Sequence, residues 1–251
     1  MENKLPQFLD CPEKQIVITS LIYSFVCFFS FPFLLLLTSI GLHEDLSALS
    51  WIEIVFHVFN FLVVIKLFRE YLTDSLIALQ VNREQVISAA AIVAGGLLAM
   101  AVIWYGIYFL TGNDLFYIAA YGTIPISEMD ILTLSSFMVI GKPFLGTVCM
   151  VVLVPVITGC LYYAVGFCGT YNIRPWLGYL TVALLIAFPR ICNGVTYWDP
   201  QEQLVLYLAQ LPVHLLSCWA YQKTDTVWTP IIAHMITNLI GCLVIIFLYA
   251  I

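Results

Sequence analysis

The stretch from Trp228 to Ile251, WTPIIAHMITNLIGCLVIIFLYAI, decides how the chain is read. It carries no Asp, Glu, Lys or Arg, and one helical crossing of a bilayer takes about 20 apolar residues. His234 and Asn238 interrupt it one turn apart, which puts both on one helix face. Ionisable groups at membrane depth are expensive, so this pair is the first candidate functional site.

The rest of the chain repeats that composition. Of 251 residues, 62% are hydrophobic and only 10% charged. Soluble domains are roughly half apolar and a quarter charged, so a polytopic, all-α membrane bundle is expected, with residues 1–251 forming a single membrane domain. Hydrophobic windows place about seven spans: Ile16 to Leu42, Trp51 to Phe68, Ile87 to Thr111, Pro143 to Cys168, Trp176 to Gly194, Gln203 to Tyr221 and Trp228 to Ile251. Pro32 and Pro212 predict kinks or breaks in the first and sixth of these. The first run is too long for a signal-peptide core and lacks a small-x-small cleavage site, so it reads as a retained anchor.

Charge sets the expected orientation. With the N-terminus in the cytoplasm, Lys4, Lys14, Lys66, Arg69, Arg83, Arg174 and Lys223 fall inside, and only Lys142 and Arg190 outside. That is a positive-inside bias, and it predicts a multi-pass protein with the N-terminus in and the C-terminus out. The segment Asn113 to Gly141 is too polar to span and is expected to form a short interfacial helix and loop. The stretch REYLTDSLIALQVNREQV is expected to continue the second helix along the inner surface.

The eight cysteines are scattered through apolar runs without a CxxC pair. Most are expected to be reduced, small hydrophobes packed between helices, rather than a disulfide framework or zinc ribbon. A net charge of −6 and the lack of a basic run argue against a nucleic-acid partner and leave membrane lipids as the evident contact.

Three blocks then resemble one family. The run LPVHLLSCWAYQKTDTVWTPIIAHMITN, residues 211–238, resembles the last conserved block of the CPBP family, the CAAX-protease and bacteriocin-processing (Abi) membrane proteins. Tyr221, the turn from Lys223 to Thr226, and His234 with Asn238 take the positions of that family's tyrosine, turn and HxxxN. Upstream, VVLVPVITGCLYYAVGF, residues 151–167, resembles its first motif. Aligned on Pro155, the paired glutamates fall on Thr158 and Gly159, the aromatic on Tyr162, the arginine on Tyr163 and the glycine on Ala164. Between them AFPRIC resembles the phenylalanine and histidine motif, with Phe188 kept and Cys192 in place of the histidine.

The resemblance covers a block of approximately residues 143–251. It implies an all-helical, CAAX-protease-like bundle in a bacterial plasma membrane, with a site opening to the cytoplasm. In that family a glutamate and two histidine or asparagine positions hold a metal-activated water while the second glutamate acts as base. Such chemistry needs a proton acceptor and enough ligands to fix a cation, and Thr158 and Gly159 supply neither.

The spans from Ile87 onward carry no interior Asp or Glu that could replace those glutamates. A rise of about 1.5 Å per residue places His234 and Thr158 about 10 Å from the inner surface, His214 about 12 Å, His57 about 20 Å and Cys192 about 24 Å. His214 is therefore the natural companion of His234 and Asn238, with Tyr162 as possible cavity lining. Glu53 and His57 share a helix face but lie too deep to join them. Cys192 would suit a thiol nucleophile with His234 as base, yet its depth separates it from that base. The bland alternative is that His214 and His234 are neutral and hydrogen-bonded to carbonyls or hydroxyls, tying helices together.

The resemblance without its chemistry implies a degenerate family member, a pseudoprotease that needs no cofactor. It would bind a peptide or membrane-protein partner, in bacteriocin immunity or envelope regulation. Two alternatives stand beside it. One is an active, zinc-dependent intramembrane endopeptidase rearranged around His214, His234 and Asn238; the other is a small transporter or lipid-binding protein with a polar cavity at the same residues.

Overall fold

A computed structural model describes residues 9–23, 46–123, 143–196 and 200–250, and its described residues are helical apart from short connections. Helix α1 covers residues 14–23, followed by α2 (Leu46–Val81), α3 (Arg83–Thr111) and the short α4 (Asp114–Thr123). Helix α5 runs from Pro143 to Tyr171, then α6 (Pro175–Thr196), α7 (Pro200–Thr224) and α8 (Trp228–Ala250). The protein is thus an all-helical membrane protein. By length and hydropathy Arg83–Thr111, Phe144–Tyr171 and Pro200–Thr224 can each cross a bilayer, and Pro175–Ala187 and Trp228–Leu243 are shorter apolar helices. Of the other expected spans, Trp51 to Phe68 falls within α2, and Ile16 to Leu42, with Pro32, lies largely outside the described residues.

Of the kink or break expected at Pro212, a break is not seen, because α7 continues on both sides of it. The fourth span is not a plain α-helix. Within α5 the segments Cys149–Leu153 and Gly159–Phe167 are π-helical, alternating with α-helical turns. Pro155 accounts for the first: its ring crowds the carbonyl four residues back and it has no N–H to donate, so the turn ahead of it widens. Val154 N–H accordingly reaches back five residues to the Cys149 carbonyl. Nothing in the structure explains the second.

Outward-facing side chains are what a bilayer solvates. Val102, Phe109 and Leu110 on α3 stand mostly exposed, as do Leu184 on α6 and Leu243 on α8. Inside, α3 meets α7 and α8 through Ala89, Ala90, Val93, Val213, Ala220 and Ala233. Small residues let these backbones approach closely, which is how packing is gained where lipid supplies no hydrophobic drive. Helix α3 stops at Gly112, whose φ of 64° gives the left-handed turn. The following α4 folds back, stacking Phe116 on Trp104 with ring centroids 6.0 Å apart. The expected short helix is there, and residues 124–142 lie outside the described part.

As expected, α2 continues well past its apolar stretch, and its far end is pinned to the α7–α8 turn. The Ser75 and Thr226 hydroxyls lie 2.8 Å apart, Val227 N–H donates to the Ser75 hydroxyl at 3.1 Å, and Trp228 Nε1–H donates to the Leu72 carbonyl at 3.1 Å. The Tyr71 and Tyr221 hydroxyls are hydrogen-bonded to each other. At this same end Cys11 and Cys168 form a disulfide. This corrects the expectation for two of the cysteines, whose 157-residue separation offered no spacing signal. Cys149, Cys160, Cys218 and Cys242 are buried thiols outside any disulfide, as expected.

Asp225 turns the chain from α7 into α8 with φ of 52°, and its carboxylate accepts from Asp10 N–H at 3.1 Å. Burial pushes this carboxyl above its ordinary range, the Asp10 N–H bond pulls it back, and the Asp10 carboxylate adds to the rise. A raised folded value means that the native state binds the proton more readily than the unfolded chain. Stability from this group is therefore full at acid pH and is lost as pH rises through the raised value. Asp225→Asn keeps an oxygen acceptor and tolerates the left-handed turn. It is expected to melt at or above the wild-type temperature in detergent at pH 7, with the difference closing on acidification. A lower melting temperature at pH 7 that persists in acid would refute burial as the dominant cause.

Candidate functional site

Four expected site positions lie on α5. Thr158 ends an α-helical turn, and Gly159, Tyr162 and Tyr163 follow in the second π segment. His214 is on α7, while His234 and Asn238 share α8. Cys192 falls on α6, in a part whose side chains, with those of Phe188 and Arg190, lie outside the described residues. The Glu53 side chain is also outside them. His57 is half-buried beside Phe56, with ring centroids 6.2 Å apart.

His214, Tyr162 and Tyr163 come together. The Tyr163 hydroxyl and His214 Nδ1 are 2.8 Å apart, both residues are buried, and the Tyr162 ring centroid lies 5.8 Å from the imidazole. In the position of the family's arginine, the chain therefore places a phenol that engages a histidine from the neighbouring helix. This is a satisfied helix-to-helix contact of the bland kind weighed above for His214.

Asn238 is 1% exposed, and its Nδ2 donates to the Met150 carbonyl across the α5–α8 boundary at 2.8 Å. The choice of acceptor has a local cause. In the first π segment the Met150 carbonyl would accept from residue 155, which is Pro155 and has no N–H. The α-helical donor, Val154 N–H, is already committed to Cys149. Met150 is thus left with an orphaned carbonyl at membrane depth, and Asn238 fills the vacancy. The Oδ1 of Asn238 has no hydrogen-bond partner among the described residues. His234, one turn earlier, is 8% exposed, and its own carbonyl accepts from the Thr237 hydroxyl at 2.9 Å.

Gly159 is the position with the most consequence. A Cβ built there would lie 2.2 Å from Ile231 Cγ1 and 2.8 Å from Cδ1. Real Cβ atoms do not approach so closely, so α5 and α8 meet at this point because the residue is glycine. Ile231 itself is fully buried. The volume into which a glutamate side chain would project is filled by isoleucine. Thr158, in the position of the first glutamate, is half-buried and offers a hydroxyl.

Zinc in a catalytic site takes three nitrogen, sulfur or carboxylate ligands and keeps one open place. Here Gly159 offers no donor, and Asn238 donates its Nδ2 to Met150, which leaves Oδ1 as its one metal-capable atom. Among the described residues no three His, Cys, Asp or Glu side chains are grouped to hold a metal. With Thr158 and Gly159 in the glutamate positions, the acidic ligand and the base that the resemblance calls for are not supplied there.

Residues 140–240 match a family model described as type II CAAX prenyl endopeptidase Rce1-like. The chain carries an Rce1-like segment. It spans α5 to the first half of α8 and contains Thr158, Gly159, Tyr162, Tyr163, His214, His234 and Asn238, so the resemblance read from the three blocks is shown. A search of the curated proteins gave no match, and neither did a search of the solved structures. Ile231, Met150 and Pro155 are the residues of this segment whose importance sequence reading missed. Pro155 serves in the sequence as an alignment anchor, and its signal is physical: a proline inside a span leaves a carbonyl to be satisfied.

Proposed function

We propose that this Rce1-like membrane protein has kept its family's fold and lost its metalloprotease chemistry, and that it acts by binding a peptide or membrane-protein partner. Bacteriocin immunity and envelope regulation, in a bacterial plasma membrane, are the roles this reading favours. The observation that carries it is the contact between Gly159 and Ile231. Where the resemblance calls for a catalytic base, the helices pack so tightly that no side chain fits. The N-terminus is assigned to the cytoplasm, since the segments flanked by Lys14, Arg69, Arg174 and Lys223 meet at one end of the bundle.

The rearranged endopeptidase built on His214, His234 and Asn238 is weaker, because Tyr163 and Met150 already engage two of its three residues. The test is metal analysis and peptide cleavage on protein purified in detergent. Sub-stoichiometric zinc and no chelator-sensitive cleavage of a CAAX peptide are expected. Stoichiometric zinc with chelator-sensitive cleavage that His234→Ala abolishes would overturn the proposal.

A further inference from the structure

Residues Leu9 to Glu13 have no regular secondary structure, yet this short stretch is held like a ligand. The Asn172 side chain reads both backbone groups of Leu9: Oδ1 accepts from Leu9 N–H at 3.0 Å and Nδ2 donates to the Leu9 carbonyl at 2.9 Å. Asp10 is read the same way, its N–H by the Asp225 carboxylate and its carbonyl by the Tyr221 hydroxyl, each at 3.1 Å. The Leu9 side chain is 4% exposed and joins the main apolar core. Cys11 is bonded to Cys168, and Pro12 is buried. The ends of α5 and α7 and the turns that follow them therefore converge on four consecutive residues, and they read backbone rather than side chains except at one apolar and one thiol position.

We propose that Asn172, Tyr221, Asp225 and Cys168 form a binding cleft for an extended peptide of the pattern apolar-x-Cys, which residues 9–12 occupy in cis and the Cys11–Cys168 disulfide locks. Backbone pairing by an amide and a carboxylate gives affinity without demanding sequence, and one apolar pocket with one thiol gives selectivity. Opening the cleft requires two electrons. A cellular dithiol supplies them: its thiolate attacks one sulfur, the second thiol resolves the mixed disulfide, and Cys11 and Cys168 leave as thiols while the donor becomes a cyclic disulfide. The cleft lies at the end of the bundle assigned to the cytoplasm, where disulfides are ordinarily reduced, so the lock is placed to open there. The cleft gives the binding reading proposed above a location and rests on that reading for its biological use alone.

The experiment uses the full chain in detergent with Cys11→Ser, which leaves the cleft without its covalent tether. The probe is a synthetic peptide of residues 6–14, PQFLDCPEK, activated as a thiopyridyl disulfide, so that attack by the Cys168 thiolate forms the peptide disulfide and releases thiopyridone. Capture is expected to be about tenfold faster than for a scrambled peptide with the same cysteine, a margin equal to one or two good hydrogen bonds. Cys168→Ser in the same background should abolish it, and Asn172→Leu should slow it about fivefold. Equal capture of the scrambled peptide, or capture that survives Cys168→Ser, overturns the assignment. As a check independent of variant folding, non-reducing peptide mapping of wild-type protein from membranes prepared with a thiol-blocking reagent should recover the Cys11–Cys168 link, with the linked fraction falling when membranes are pre-treated with a dithiol. Absence of the link in both samples also overturns it. Failure here with metal and cleavage assays still negative removes only the cleft, whereas chelator-sensitive cleavage removes the binding reading.

Discussion

Gly159→Glu is expected to prevent accumulation of folded protein in the membrane. Even Gly159→Ala should lower the melting temperature markedly, because the new Cβ would sit 2.2 Å from Ile231 Cγ1. Overpacking a well-filled interior costs about 1–3 kcal/mol. Glutamate adds an unpaired carboxyl buried between two spans, several kcal/mol more. The informative partner is Ile231→Ala. It removes the two clashing carbons and leaves the Ile231 Cβ, which lies 3.7 Å from the built position, in ordinary contact. Alone it should cost about 2–5 kcal/mol by leaving a cavity. Combined with Gly159→Ala it should cost clearly less than the sum, since each change fills or relieves what the other creates. Strict additivity, or a Gly159→Ala protein that melts like wild type, would show that the two helices do not meet there. The steric corollary is that a glutamate introduced at 159 needs residue 231 trimmed before it fits.

The second large effect concerns Asn238. If this side chain serves chiefly to donate to the Met150 carbonyl, Asn238→Leu should destabilise the protein by about 1–3 kcal/mol, the cost of a buried acceptor left without a donor. Asn238→Asp should be at least as harmful, because it exchanges the donor for an oxygen facing an oxygen. Pro155→Ala restores a backbone N–H at the position from which a π-helical bond to Met150 would come. In that background Asn238→Leu should cost less than half as much, read by thermal or denaturant unfolding in detergent. A residue kept for ligand or metal chemistry behaves otherwise: its loss abolishes activity, leaves stability nearly unchanged and is indifferent to residue 155. Equal cost of Asn238→Leu in both backgrounds would therefore refute the role assigned to it.

These two contacts also change the meaning of the His234 and Asn238 pair. As a motif on one helix face it reads as half of a hydrolytic site. In the bundle, Asn238 repairs the backbone of α5 and Gly159 closes the space where the base would stand.

The sequence by itself determined the class of solvent and the class of element. Long apolar runs with few charges oblige each segment to satisfy its own backbone, and helix is the way a single segment does so; hence α3, α5, α7 and α8 were legible within a few residues. The family segment was legible as well, because three blocks in order at set spacing are a one-dimensional signal. The disposition of Lys14, Arg69, Arg174 and Lys223 pointed to one end of the bundle for the same reason. Which faces meet was decided only by the tertiary structure. The pairing of Cys11 with Cys168, the reach of Tyr163 to His214 rather than to an acid, the π-helical widening before Pro155 and its repair from α8, and the filling of Gly159 by Ile231 each join residues on different elements. Such contacts depend on the rotation and depth of each helix against its neighbours. Local periodicity sets those quantities only to within about a turn, whereas a hydrogen bond or a van der Waals contact is made or lost within a fraction of an ångström.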